Sequence, residues 1–404
     1  MVRNRIRVRP VSGVLFQDVA LGDRRCDLRV SGGRIAARAW REEAAPLVPE
    51  AGDEVVRGGR ITPPFAEPHV HLDATLLGER APNRSGTLRE GIANWARLRE
   101  GLTADDVRER ARRTVAMYAA HGTLRLRTHV DTGSLLAVET LLALSEELAG
   151  EGIELQVVAF PQEGILRAPG HRERWEEAVR LGCHAVGAIP HFERTTEEGW
   201  QSVRMAFEVA ERHDRLVDLH CDETDDPGSR NLEVVCAEAL DRGFAGKVVA
   251  GHCTALHSYP NPYAAKVIEL VAVSGVQVVT NPLDNAVLQG RYDSYPKRRG
   301  VTRVDELWAA GVPVGIGHDS VQDPWYRLGT ANLLDAAYVL VHLAHLTGEA
   351  QLRRAFTTLH HENHLPFGGP PALAPGEPAR LLWWAEEDPI AILRERPRPR
   401  VFRG

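Results

Sequence analysis

Lysine is almost missing from this chain: only Lys247, Lys266 and Lys297 occur in 404 residues, and arginine supplies the rest of the positive charge. Cysteine is scarce too. The five present (Cys26, Cys183, Cys221, Cys236, Cys253) are odd in number and scattered, which excludes a disulfide framework and any Cys-x-x-Cys zinc pair. No run approaches the roughly 18 consecutive apolar residues of a membrane span. The Arg-rich residues 1–10 lack the apolar centre of a secretory signal. A basic excess is also absent, since the net charge is −6, opposite in sign to the footprint of a nucleic-acid binder. There is no internal repeat or low-complexity tract. What remains, 43% hydrophobic and 26% charged, is the composition of a globular enzyme with a substantial core, expected in the cytoplasm and acting on a small molecule.

Short apolar runs punctuate the chain. They lead into His69 and His71 (residues 61–68), His129 (124–128), Gln162 (155–161), His191 (185–190), His220 (216–219), His252 (248–251), Asn281 (276–280) and His318-Asp319 (312–317). Amphipathic stretches over 105–120, 135–149, 197–212, 231–241 and 331–346 separate them. Apolar runs alternating with helical patterns read as buried parallel strands. Eight such units predict an α/β fold of the (β/α)8 TIM-barrel type, which needs roughly 250 residues and carries its reactive groups at the C-terminal strand ends. The barrel is expected over 61–370. Residues 1–60, with a Gly32-Gly33 hairpin signal, and 371–404 predict a small flanking β domain built from both termini. The Pro-rich stretch 366–378 is its expected return linker.

The strand ends carry metal-ligand chemistry. Divalent zinc or iron takes imidazole nitrogen and carboxylate oxygen, and a catalytic site leaves one position for water. His69, His71 and His220 as neutral nitrogen donors and Asp319 as the anionic ligand fit one such ion. Lysine scarcity sharpens the count: some barrel hydrolases bridge two metals with a carboxylated lysine ending the fourth strand. Here that position reads Gly187-Ala188-Ile189-Pro190-His191, so one divalent ion, iron or zinc, is expected per chain.

Longer motifs extend the pattern: Pro64-Phe65-Ala66-Glu67-Pro68-His69-Val70-His71-Leu72-Asp73, Ser85-Gly86-Thr87-Leu88, Arg127-Thr128-His129-Val130-Asp131, Phe160-Pro161-Gln162, His220-Cys221-Asp222-Glu223, His257-Ser258-Tyr259, Tyr295-Pro296-Lys297-Arg298-Arg299-Gly300, and Gly317-His318-Asp319 through Asp323-Pro324-Trp325-Tyr326. In order and spacing this set resembles the bacterial cytosine deaminase branch of the amidohydrolase superfamily, over most of residues 61–340. The resemblance implies a (β/α)8 barrel, one iron or zinc ion, hydrolytic removal of an exocyclic amine from a free base, and a homo-oligomer. It differs from the nucleic-acid zinc deaminases, whose P-C-x-x-C signature is missing here.

A mechanism follows from the residues. A water on the metal becomes a hydroxide source near neutral pH, and Asp319 and His252 can take or steer its proton. Attack at cytosine C4 moves electron density onto N3. Glu223, three residues past His220, is placed to act there as general acid and base. Gln162 offers an amide to the O2 and N1 edge, as the resemblance suggests, and Trp325 can wall the ring. Plainer roles stand beside these: His252 as a structural histidine, Glu223 as a salt-bridge partner, Trp325 as packing. His129 and His191 read as supporting histidines, Asp222, Asp225 and Asp226 as loop-structuring or solvated, and 297–299 as solvated surface or an oligomer contact.

One residue departs from the pattern. Cytosine deaminases of this branch typically follow the ligand aspartate with a second aspartate, and here Ser320 stands instead. The shorter, uncharged side chain eases a methyl group at C5 sterically and in desolvation. Conversion of 5-methylcytosine to thymine is therefore expected beside, or instead of, cytosine to uracil. Deamination of another cyclic amidine or guanidine (creatinine, isocytosine, isoguanine) shares the same groups. Ring-opening hydrolysis normally needs the bridging lysine, and a non-catalytic binding barrel predicts a lost ligand or acid, whereas the full set is present.

Overall fold

A computed structural model describes residues 13–404, so residues 1–10 lie outside the described part. The chain begins with β1 (Gly13–Leu21), β2 (Arg24–Ser31), β3 (Arg34–Trp40), β4 (Asp53–Arg57) and β5 (Arg60–Thr62). β1 pairs antiparallel with β2 and parallel with β4 and β5. The predicted glycine hairpin joins β2 to β3, with Gly32 and Gly33 at φ +56° and +73°, a conformation the tight turn needs and side chains resist. Phe16, Leu28, Ile35 and Ile61 close a small core on one face.

Ile61 and Thr62, expected to open the first barrel strand, belong to this terminal sheet instead. Pro63 and Pro64 explain the break. Proline donates no hydrogen bond to a ladder, so pairing stops there and resumes at Phe65 in a different sheet.

The barrel strands are β6 (Phe65–Val70), β7 (Thr123–Asp131), β8 (Glu154–Phe160), β9 (Ala185–Val186), β10 (Leu216–Cys221), β11 (Val248–His252), β12 (Gln277–Thr280) and β13 (Val314–Ile316). All pair in parallel and in sequence order, and β13 returns to β6 through a bridge between Val70 and Asp319. The five expected helices are present, at Ala104–Ala120, Leu135–Ala149, Thr196–His213, Asn231–Asp241 and Leu333–Leu343. Helices His171–Arg180, Asn261–Ser274, Val304–Ala309 and Glu349–Thr358 also surround the strands and were not anticipated. They share one large apolar core with the strands.

The chain then returns through Leu373, buried in the small core, to β14 (Arg380–Trp384) and β15 (Arg400–Arg403), with β14 antiparallel to β5. Side chains alternate across a strand. Leu381 accordingly faces the terminal core, while Leu382 and Trp384 face the barrel core.

Candidate active site

β6 delivers His69 and His71 to the barrel mouth, and the backbone there is tightly fixed. The Glu67 carboxylate accepts the N–H of His69 at 2.9 Å and that of His318 at 3.0 Å, tying the first strand to the last. Glycine is required opposite His69: a Cβ at Gly317 would lie 2.2 Å from Asn281 Oδ1 and 3.2 Å from His69 Cβ. Three side chains at strand tips sit in the left-handed region, Asp222 at φ +51°, His252 at +65° and Asp319 at +69°. Non-glycine residues adopt this conformation at a cost, and such strain gathers at functional sites.

The imidazoles converge. His220 Nε2 lies 3.2 Å from His69 Nε2 and 3.1 Å from His71 Nε2. Asp319 Oδ1 stands 3.7 Å from the former and 3.5 Å from the latter. Burial pushes His71 down to about 4, and holds His69 and His220 well below the usual histidine range with their neighbouring imidazoles adding to the effect. Three neutral rings facing one another can share few protons, so their lone pairs and the carboxylate are best satisfied by a cation between them. The donor set is that of divalent zinc or iron.

Next to this cluster, His252 Nδ1 is 3.6 Å from Glu223 Oε1 and 3.9 Å from Asp319 Oδ2. Burial alone pushes the Glu223 carboxyl up to about 8. Gln162, Glu223, His252, Asp319, Ser320 and Trp325 line one pocket together with His71 and His220, while His69 lies wholly buried beside it. Three imidazoles and a carboxylate able to hold a cation, a buried carboxyl, a side-chain amide and an indole thus lie within one small space.

The amidohydrolase family model matches residues 56–360. The chain belongs to the amidohydrolase family. It is a metal-dependent hydrolytic deaminase acting on a carbon–nitrogen bond. The crystal structure of 5-methylcytosine deaminase from Klebsiella pneumoniae with 5-fluorocytosine is 41% identical, with a TM-score of 0.89 over 96% of this chain and 94% of that one. N-isopropylammelide isopropylaminohydrolase from Burkholderia multivorans is 25% identical, with a TM-score of 0.79 over 96% of each chain. By sequence, pterin deaminase of Rhizobium rhizogenes is 32% identical over 72% of this chain and 67% of its own. No helix among the described residues is long and apolar enough to cross a membrane.

Other expected residues in this amidohydrolase fall in several places. His129 is buried behind His69, ring centroids 4.0 Å apart, with Nε2 3.5 Å from Asp218 Oδ1; Asp218 in turn accepts from Arg127 at 2.9 Å. His191 sits in a turn over Pro190–Phe192, behind the pocket against the His220 backbone and close to His252, and also borders a neighbouring cleft. Asp222 organises its loop, accepting from Ser229 Oγ at 2.6 Å, Asn231 Nδ2 at 2.7 Å and the Leu232 N–H at 2.9 Å. Arg298 of the basic run is a clamp: it pairs with Asp293 at 2.8 Å and donates to the Asp225 carbonyl at 2.7 Å.

Sequence reasoning missed Leu88, Asp284 and Leu288 as pocket residues, and Phe160, whose ring stacks on His220 at 3.9 Å. It also missed Asn285, whose amide lies 3.0 Å from His252 Nδ1. A signal existed for Asp284 and Asn285, since both follow closely on Thr280, where β12 ends at the barrel mouth.

Proposed function

We propose that the enzyme deaminates free pyrimidine bases of the cytosine type, 5-methylcytosine among them, with one divalent iron or zinc ion per chain. The observation that carries this reading is the pocket itself, in which Ser320 stands beside Asp319 with Gln162, Glu223 and Trp325 around the same space. The 41% identity to the Klebsiella 5-methylcytosine deaminase supports it.

His69, His71, His220 and Asp319 would hold the ion. When bound, it lowers the pKa of water and so supplies a nucleophile at neutral pH. The residues do the rest. Gln162 orients the O2 and N1 edge, which brings C4 over the His71, His220 and Asp319 side chains and N3 toward Glu223. Glu223 gives its proton to N3 as water adds at C4. His252 and Asp319 receive the proton released by the water and return it to the exocyclic nitrogen. The C4–N bond then breaks, ammonia leaves and the C4 hydroxyl gives its proton back to Glu223 as the carbonyl forms, so 5-methylcytosine plus water becomes thymine plus ammonia. Trp325, Leu88 and Leu288 keep bulk water from the ring.

The test is ammonia release over a panel of free bases on metal-analysed protein. Turnover of 5-methylcytosine and cytosine is expected, with pterin, creatinine and isoguanine poor. Pterin exceeding both pyrimidines would move the assignment toward the activity of the Rhizobium relative.

A further inference from the structure

One pocket group has no part in this chemistry. Asp284, in helix Pro282–Leu288, is 1% exposed, and its Oδ1 makes no hydrogen bond within the protein. Asp323, the other carboxyl that faces Ser320, also has an oxygen without a partner, Oδ2, but it does not line the pocket, and its Oδ1 accepts the N–H groups of Trp325 and Tyr326 at 2.9 Å each and so shapes the loop. Asp284 has no such duty. A buried carboxyl oxygen left without a donor is costly, and at a pocket wall a ligand is the natural partner.

The position of Asp284 restricts what that ligand presents. Where the C5 edge of a bound base lies depends on the proposed pyrimidine orientation. With C4 over the histidines, N3 at Glu223 and the O2 and N1 edge at Gln162, the C5 edge is left facing Ser320 and the residues around it. Asp284 is one of these, its carboxyl within hydrogen-bonding reach of the Ser320 hydroxyl. A methyl at C5 would gain space from Ser320 and nothing from Asp284. The geometry points to Asp284 as a specificity residue for a hydroxyl-bearing substituent at C5, so that the enzyme also deaminates cytosine carrying a hydroxymethyl group there. A hydroxyl both donates and accepts, so it pairs with the carboxyl in either protonation state. The reaction balances as before: water adds at C4, the C4–N bond breaks, and the products are 5-hydroxymethyluracil and ammonia.

The experiment compares kcat/KM for 5-hydroxymethylcytosine and 5-methylcytosine in the wild-type holoenzyme and in Asp284→Leu and Asp284→Asn. The ratio cancels damage common to both substrates. The wild type is expected to use both. In Asp284→Leu the ratio should fall at least tenfold, and in Asp284→Asn, which keeps a hydrogen-bonding group, by less. An unchanged ratio in both variants, or a wild type active on 5-methylcytosine and inert toward the hydroxymethyl base, overturns the inference while the pyrimidine reading stands. A wild type inert toward cytosine and 5-methylcytosine alike overturns that reading and this inference with it.

Discussion

At the scale of single residues, the proposed roles of holding, transferring and reading fall to different side chains. His220 stands within 3.2 Å of both other imidazoles, so it is the hub of the donor set. Replacing His220 by Asn should abolish metal occupancy and turnover together, because three ligands retain a catalytic ion far less well than four. Near-normal metal content in that variant would refute the ligand set. Glu223→Gln isolates proton transfer. It keeps shape and removes the transferable proton of a carboxyl that burial holds at about 8, so turnover should fall by roughly 10² to 10⁴ with metal content retained. An unimpaired variant would hand the proton role to another side chain. Ser320→Asp tests reading of C5, and its neighbours raise the stakes. Ser320 already faces the carboxyls of Asp284 and Asp323, both pushed up by burial, so a third acid there is one more carboxyl that must lose its hydration. The loss of kcat/KM should be at least about tenfold greater for 5-methylcytosine than for cytosine, consistent with about 1–3 kcal/mol per methyl contact. Equal losses would show that Ser320 does not read that position.

At the scale of elements, helix Leu88–Arg99 forms one wall of the pocket through Leu88, and a side-chain cap fixes where it begins. Thr87 of the Ser85-Gly86-Thr87 motif accepts the Glu90 N–H at 3.2 Å as the N-cap. Gly91 in its second turn looks like a weakness, since alanine there would favour the helix by about 1 kcal/mol. Packing decides otherwise. A Cβ at 91 would lie 2.4 Å from Trp325 Cδ1, and that ring is flanked by Trp95 at 6.2 Å and His71 at 5.8 Å. Gly91→Ala should therefore shift Trp325 and raise KM for both bases, lowering kcat/KM about tenfold, with a melting temperature within a few degrees of wild type. An unchanged KM would mean that Trp325 packs without touching substrate. The same elements show what the sequence made legible. Most barrel strands are largely apolar and end near a polar residue, so their positions and many of their tips could be read. Helix Asn261–Ser274 is apolar over much of its surface, with little periodic contrast, and escaped notice. The Arg127, Asp218 and His129 assembly joins residues 91 apart on strands that are not neighbours, and no local spacing announces it. The left-handed backbone of Asp222, His252 and Asp319 was equally hidden, because Asp and His are enriched at positive φ yet adopt it in only a small minority of positions.

At the scale of the molecule, Trp384 is a side chain that joins the terminal sheet to the barrel. Trp384, on the barrel-facing side of β14, is 1% exposed. Its ring packs 5.5 Å from Phe65 at the root of β6 and 6.0 Å from Phe356 of the outer helix Glu349–Thr358, and its indole donates to Thr62 Oγ1 at 3.2 Å. Phe65 opens the strand that delivers His69 and His71, so this contact ties the last part of the chain to the first element of the site. Trp384→Ala should cost about 3–5 kcal/mol, the range for large aromatic truncations in a core, and Trp384 lines no part of the pocket, so kcat of the folded fraction should hold. Urea unfolding followed by tryptophan fluorescence and by activity distinguishes two outcomes. A common midpoint, lowered with an unchanged slope, would mean that sheet and barrel unfold as one cooperative unit. Activity persisting beyond a first fluorescence transition would mean that the terminal sheet detaches while the barrel keeps its site. The first is expected, because β5 and β6 are separated only by Pro63 and Pro64, and the pairing of β14 with β5 draws both ends of the chain onto that junction. An unshifted midpoint would show that backbone pairing alone docks the two sheets and that the indole contributes nothing to their union.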